Sequence, residues 1–480
     1  MSHVRKLAGL VLLPGLLSAC AMLPQHLPKN AKVAPASAPV TPQGMATSNA
    51  WPQADWWRAL HDRQLDHWVE QALANNPDLH AAGARVLAAQ ADVGLANARR
   101  LPHFNANLSF TQQYFSAQGL HLSANGTSNF FTSLNPLQIQ YHVSLWGRDR
   151  ALVQAARGEK EMAEAEQAQT RLLLSTAVVL HYSALLGDEQ VLGKEQVLHR
   201  VQQRILALST VAYRIGVGDA TGMLQARLAL AQSSKEIASL TAAIAAQRHA
   251  LAALLGEGPC AKTLSTPRVQ PLSLPQSELP KDLPLGLLAR RPDIVAARWA
   301  AEAAAARVHA ARAAFYPDLN LRLMAGWNSI HLADLFDPAN FAHAVGPVLT
   351  LPIFEGGALR AQLRGQNAGF LAAQDAYQGQ ILAALRHVAD VLSAWTKLRQ
   401  QRAAQAQAVE AAQRQVRLTA GAWQSGTQPL LPILQSQVQY LRAQEANIRL
   451  ETRSVQNWAM LESALGGGVL SMSQETTHGQ

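Results

Sequence analysis

Leu137-Gln138-Ile139-Gln140-Tyr141-His142-Val143-Ser144-Leu145 alternates apolar and polar side chains without a break. Alternation of that kind belongs to a strand with one apolar and one polar face. The long stretch behind this strand decides the fold. From Arg148 to Tyr213 there is no proline, and about 65 residues of helix make a rod of roughly 100 Å at ~1.5 Å per residue. Ordinary globular domains average about three turns per helix, so such a rod must pack along its length as a coiled coil. It turns at Gly216-Val217-Gly218-Asp219 and returns to Leu255-Gly256. Upstream, Phe104, Ala106, Leu108 and Phe110 alternate with Asn105, Asn107, Ser109 and Thr111, giving a second strand. Ahead of that strand, Asn76-Pro77-Asp78-Leu79 opens a helix that ends near Leu101-Pro102. Proline has no N–H to lose at the first helical position, and an aspartate beside it suits the positive helix end.

The same order of signals returns about 210 residues later, the mark of an internal repeat. Arg291-Pro292-Asp293-Ile294 opens a helix that ends at Tyr316-Pro317, and Leu319, Leu321 and Leu323 then alternate with Asn320, Arg322 and Met324. Val345 to Leu351 is the second strand, less regular and interrupted by Pro347. A long helix comes next, from Gly357 to Trp423, turns at Ser425-Gly426-Thr427-Gln428-Pro429 and returns to Leu465-Gly466-Gly467-Gly468. The first repeat is expected over residues 51–256, with strands at 103–115 and 136–146 and helices at 77–100, 148–213 and 221–255. An inter-repeat segment, 257–290, joins a mixed belt. The second repeat covers 291–468, with strands at 317–328 and 344–353 and helices at 292–314, 357–423 and 430–465; 469–480 is a tail.

Strands of ~9–11 residues are long enough to cross a bilayer when tilted. Lipid cannot satisfy the open edges of a four-stranded sheet, and a closed barrel needs at least about eight strands. Several chains must therefore share one barrel. The expected fold is mainly α with a membrane β-barrel, continued by an α-barrel of coiled-coil hairpins.

Composition removes other classes. The chain has 480 residues, is 49% hydrophobic and only 15% charged, which excludes disorder. After the N-terminus no run reaches the ~18 uninterrupted apolar residues of a spanning helix. The formal charge is +9, but the basic residues are scattered, so no nucleic-acid partner is expected. Net charge does not say which charges would line a lumen. Two cysteines cannot build a disulfide framework. The 16 histidines include no His-Glu-x-x-His, and a place in a solvated outer loop explains His331 and His343 better than a metal. Gly216-Val217-Gly218 with Gly222 has the wrong spacing and context for a dinucleotide loop. No serine has a partnered His-Asp arrangement. No catalytic residue, metal or soluble cofactor is expected. Trp56 and Trp57 read either as a ligand-stacking pair or as packing within the belt, and Tyr114, Phe115, Phe130, Phe131, Trp327 and Phe341 either as an interfacial aromatic girdle or as loop packing.

At the N-terminus, Arg5 and Lys6 precede an apolar run from Leu7 to Leu17 that is too short for an anchor. Leu17-Ser18-Ala19-Cys20 resembles a bacterial lipobox, which implies a signal peptide over 1–19 and a Cys20 carrying N-acyl and S-diacylglycerol lipid. Residues 20–50 then form an extended Pro/Ala/Ser leader.

The motifs together resemble the TolC-like outer-membrane factors, in the lipoprotein branch of tripartite RND efflux systems. Those that carry the resemblance are Trp56-Trp57-Arg58-Ala59-Leu60, Asn76-Pro77-Asp78-Leu79, Leu145-Trp146-Gly147-Arg148, Tyr213-Arg214-Ile215-Gly216, Arg290-Arg291-Pro292-Asp293-Ile294, Tyr316-Pro317, Leu351-Pro352-Ile353-Phe354-Glu355-Gly356-Gly357 and Ala464-Leu465-Gly466-Gly467-Gly468. The resemblance implies a homotrimer with a barrel of about twelve strands, an outer-membrane location with a periplasmic α-barrel, and an exit duct without chemistry of its own. It implies a periplasmic adaptor and an inner-membrane RND transporter as partners. Adaptor docking falls on Gly216, Val217, Gly218 and Asp219 and on Gly426, Thr427 and Gln428. Relatives place a hydrophobic and an acidic gate residue just past the second tip. Aligned on Gly426 these are Leu431 and Gln435, with Thr221 and Gln225 in the first copy. Gln435 departs from the family's acid, and Pro432 is a second departure. Two other readings fit parts of the sequence: a duct for secreted polypeptides, and a periplasmic coiled-coil adaptor lipoprotein, which would have one hairpin rather than two.

Overall fold

A computed structural model describes residues 53–118, 126, 128–258, 272, 274 and 290–468. Cys20, the leader, most of the inter-repeat segment and the tail lie outside the described residues.

A short 3-10 helix at Trp56–Leu60 leads into helix α1, Arg63–Asn75. The first repeat continues with α2 (Pro77–Ala98), β1 (His103–Tyr114), β2 (Ser128–Val143), α3 (Arg148–Arg214) and α4 (Ala220–Leu254). The second consists of α5 (Pro292–Ala313), β3 (Asp318–Ser329), β4 (Phe341–Thr350), α6 (Ala358–Gln424) and α7 (Leu430–Ala464). Equivalent helices have equal lengths: 22 residues in α2 and α5, 67 in α3 and α6, 35 in α4 and α7.

The chain divides into two compact units. The first draws on Arg85–Ala163 and Ala296–Gln378 and contains all four strands. They form one antiparallel sheet in the order β1-β2-β3-β4, so β1 and β4 each pair on one side only. Strand β2 begins at Ser128, ahead of the expected position 136. The alternation breaks at Asn135-Pro136 because one extra residue bulges there relative to both neighbours, with shifts between Asn105/Asn107 and between Leu134/Leu137. A proline at a bulge loses no ladder hydrogen bond, so the strand continues past it. The bulge lies against Gly326, where a Cβ would sit 2.2 Å from the Leu134 carbonyl oxygen. At the other end of the sheet, Trp146 stacks on Tyr316 with centroids 4.8 Å apart and donates its indole N–H to the Pro317 carbonyl. Two motifs from different repeats thus meet. His142 bridges Asp149 at 2.6 Å and Asp318, tying β2, α3 and β3 together. Behind the strands, α5 packs on α6 through Val308, Ala311, Leu363 and Phe370.

The second unit comprises, within the described residues, 53–84, 164–295 and 379–468. Its main core gathers Trp56, Trp57, Trp68, Tyr182, Leu185, Leu251 and Trp458. Trp56 meets Trp458 edge-on at 5.5 Å, so the tryptophan pair packs this core. Asp62 caps α1 through the Gln64 and Leu65 amides and accepts the Tyr182 hydroxyl at 3.0 Å. Nearer the turns, Leu198, Val201 and Ile205 of α3 pack with Leu434, Val438 and Leu441 of α7. Spacings of three and four on both helices are those of a coiled coil. By length and composition α3 and α4 each hold an apolar window able to cross a membrane, but most of that of α3 is buried inside the protein, as in a core helix.

Each repeat hooks its short helix to the end of its hairpin. In the first, Asn76 Oδ1 accepts the Asp78 and Leu79 amides, and its Nδ2 donates to the Leu254 carbonyl at 3.1 Å. In the second, buried Arg291 donates to the Ala464 carbonyl at 2.8 Å and pairs with Asp293 at 2.7 Å. The first hook is neutral and the second is ionic.

Candidate functional site

The two candidate features are the faces of the sheet and the tips of the hairpins. Directly paired residues in a sheet share a face, so the register sorts the side chains. Phe104 pairs with Ile139 and Ile139 with Leu323, which pairs with Val345. That face is apolar, and Phe104, Phe110, Val345 and Leu349 are more than half exposed on it. The opposite face carries Asn105, Gln138, Gln140, Asn320 and Arg322. Ser133 donates to Asn328 at 2.6 Å there. An arginine facing hydrocarbon at mid-bilayer costs about 2–4 kcal/mol, so the apolar face meets lipid and the amide-rich face meets water. Two free strand edges in lipid leave backbone groups unsatisfied, so β1 and β4 each call for a further strand beside them. Aromatic side chains gather at the far end of the strands, where Trp327 contacts Phe336 and Phe341, and Phe115 contacts Phe131.

The two tips are built alike. In the first, Gly216 has φ +71°, and the Val217 and Gly218 amides both donate to the Ala212 carbonyl. In the second, Gly426 has φ +73°, and the Thr427 and Gln428 amides both donate to the Ala422 carbonyl. A left-handed glycine that reverses the chain while capping the last carbonyls is the usual helix ending. Asp219 caps α4 by accepting the Gly222 amide at 2.9 Å, whereas Pro429 at the head of α7 offers no side-chain cap. Thr221 and Gln225 are exposed on α4, and Gln435 is exposed on α7. Leu431 is half-buried against the Leu434–Val438 cluster. The aligned gate positions therefore differ: three are free surface, and Leu431 is partly engaged within its own chain.

Sequence reasoning missed an acidic pair deeper in the coiled coil. Burial and the neighbouring Glu195 push the Glu445 carboxyl up to about 7. Glu195 is itself buried and accepts the Ser233 hydroxyl at 2.6 Å. The two glutamates lie on helices from different repeats, so neither periodicity nor motif spacing signals their meeting. His331 and His343 are exposed, and among the described residues no group of three metal-ligating side chains occurs.

Over residues 68–257 and 283–467 the sequence matches the outer membrane efflux protein family. It is 35% identical over 364 residues to the fusaric acid resistance protein FusA of Burkholderia cepacia, covering 74% of this chain and 68% of that protein. It is 30% identical to the multidrug resistance outer membrane protein MdtP of Escherichia coli (strain K12) over 463 residues, 94% of each chain. Among solved structures, it matches the outer membrane protein VceC of Vibrio cholerae with a TM-score of 0.76 at 33% identity, covering 88% of this chain and 100% of that one. The outer-membrane channel OprN matches with a TM-score of 0.78 at 28% identity, over 87% and 93% of the two chains.

Proposed function

The chain belongs to the outer membrane efflux protein family, and from that premise we propose that it is the trimeric exit duct of a tripartite efflux pump. The sheet with one apolar face and two open edges carries this reading, because lipid tolerates it only as part of a shared barrel. Three copies supply about twelve strands and a ring of helical hairpins beneath them. Lipid on Cys20 holds the chain to the outer membrane. A periplasmic adaptor docks at the exposed tips around Gly216–Asp219 and Gly426–Gln428, and an inner-membrane RND transporter feeds the duct. The duct has no chemistry of its own. The names of FusA and MdtP, resistance to fusaric acid and to multiple drugs, favour small toxic molecules over polypeptides as cargo.

The gate sits at the tips. Gln435 and Gln225 are exposed one helical turn past each turn region, where amides from three copies can hydrogen-bond across an axis. Planar-bilayer recordings of the purified chain test this. Small, flickering wild-type currents should become large and steady in Leu431→Ala/Gln435→Ala. Equal conductance in both proteins, or an inserted oligomer that conducts in neither form, moves the gate elsewhere, and protein that neither inserts nor conducts overturns the duct.

A further inference from the structure

On the water-facing side of the sheet, Arg322 stands among uncharged neighbours. It pairs in register with Gln140 on one side and with Gly346 on the other. Gly346 has no side chain to cover it, and a Cβ built there meets nothing within 4 Å. Arg322 is exposed, and among the described residues it takes part in no ion pair. The same face of β3 carries one carboxylate, Asp318, which is held by His142 and by the Asn320 amide. It lies four residues away, roughly 13 Å along the strand. That exceeds the ~8–10 Å Debye length at physiological salt, so Asp318 does not neutralise the guanidinium. His142, Asp149 and the exposed Arg148 and Arg150 cluster with Asp318 at the strand–helix junction rather than at the level of Arg322.

We infer that Arg322 is a fixed cationic selectivity site that favours passage of anions, organic carboxylates above all. This rests on the duct reading above. A barrel of about twelve strands, ~4.8 Å apart and tilted ~40°, has a radius of about 12 Å. A guanidinium pointing inward is closer still to the axis, so any ion in transit passes within about one Debye length of it. Three copies place three guanidinium groups at one level, and a ring of one sign in a low-dielectric wall concentrates counter-ions. The planar guanidinium also matches a carboxylate with two parallel hydrogen bonds.

The test is the reversal potential of the full-length protein in planar bilayers under a potassium chloride gradient, repeated with potassium benzoate. Wild type should lean toward the anion. Arg322→Gln should lower the anion-to-cation permeability ratio by a few-fold, and Arg322→Glu should invert it. Arg322→Lys keeps the charge and should keep the wild-type chloride ratio while losing part of the benzoate preference. Gly346→Asp sets a carboxylate beside an intact Arg322 and should reproduce the Arg322→Gln shift without touching the arginine. Channels whose reversal potential is the same in wild type, Arg322→Gln and Gly346→Asp overturn this inference and leave the duct standing. Failure of every variant to insert and conduct overturns both.

Discussion

Leu172 in α3 is 1% exposed, whereas Leu382, at the same distance from the start of α6, is 67% exposed. The same holds nearby: Val178 is fully buried, while Val388 is only half-buried. Two helices of one length and one place in the repeat thus have different surroundings. At these positions α3 is covered by its own chain. Helix α6 turns Leu371, Leu382, Leu385 and Leu418 outward, while α3 turns Leu173, Leu208 and Val211 outward at other positions. The repeats are equal in helix length and unequal in burial: the same position is core in one copy and surface in the other.

The hooks break this comparison most sharply. Asp293→Ala strands the buried Arg291 guanidinium and should cost about 3–5 kcal/mol; Asn76→Ala removes neutral hydrogen bonds and should cost about 1 kcal/mol. Denaturation monitored by circular dichroism compares them. Burial raises the Asp293 carboxyl, but Arg291, the Gln380 amide and the Ile294 amide outweigh it and hold the group below the ordinary carboxylate range. Its stabilisation is therefore complete above the unfolded value of about 3.9 and is lost as pH falls through the lowered folded value. The gap between wild type and Asp293→Asn should close in that acid window, while the Asn76→Ala gap should persist.

Next in size, Leu172→Ala should destabilise the protomer by about 2–4 kcal/mol through the cavity it leaves. Leu382→Ala should leave protomer stability within about 0.5 kcal/mol and lower instead the yield of cross-linked oligomer. If both variants act on protomer stability alike, α6 is not the surface that meets another copy. The effect at Glu445 depends on pH. Its carboxyl is raised, so the stability it supports is full below the unfolded value near 4.5 and is lost as pH rises through about 7. Glu445→Gln should flatten the pH dependence of unfolding between those limits and leave acid stability unchanged.

Much of this architecture is legible in the sequence, because its signals are local. The Pro-Asp helix starts, the period-two runs and the tip glycines each act over a few residues, and helices α2 to α7 begin and end within two residues of the expected positions, whereas α1 has no counterpart among them. The hidden features depend on distant pairing. Asn135-Pro136 reads as a strand break until Gly326 is seen opposite it. Arg291 reads as a helix-start residue, and nothing local says that it reaches Ala464. Glu195 and Glu445 look like solvated helix positions until α3 and α7 meet. The gate positions come from resemblance alone, and the partial burial of Leu431 lay beyond it.

The equal lengths of α3 and α6, and of α4 and α7, make reach a property that cannot drift one residue at a time. A heptad added to one hairpin alone would push its tip roughly 10 Å past its twin. Only matched insertions in all four helices keep the tips level. The repeat therefore works as a ruler with coarse divisions: the span this protein bridges can lengthen or shorten only in whole, duplicated steps.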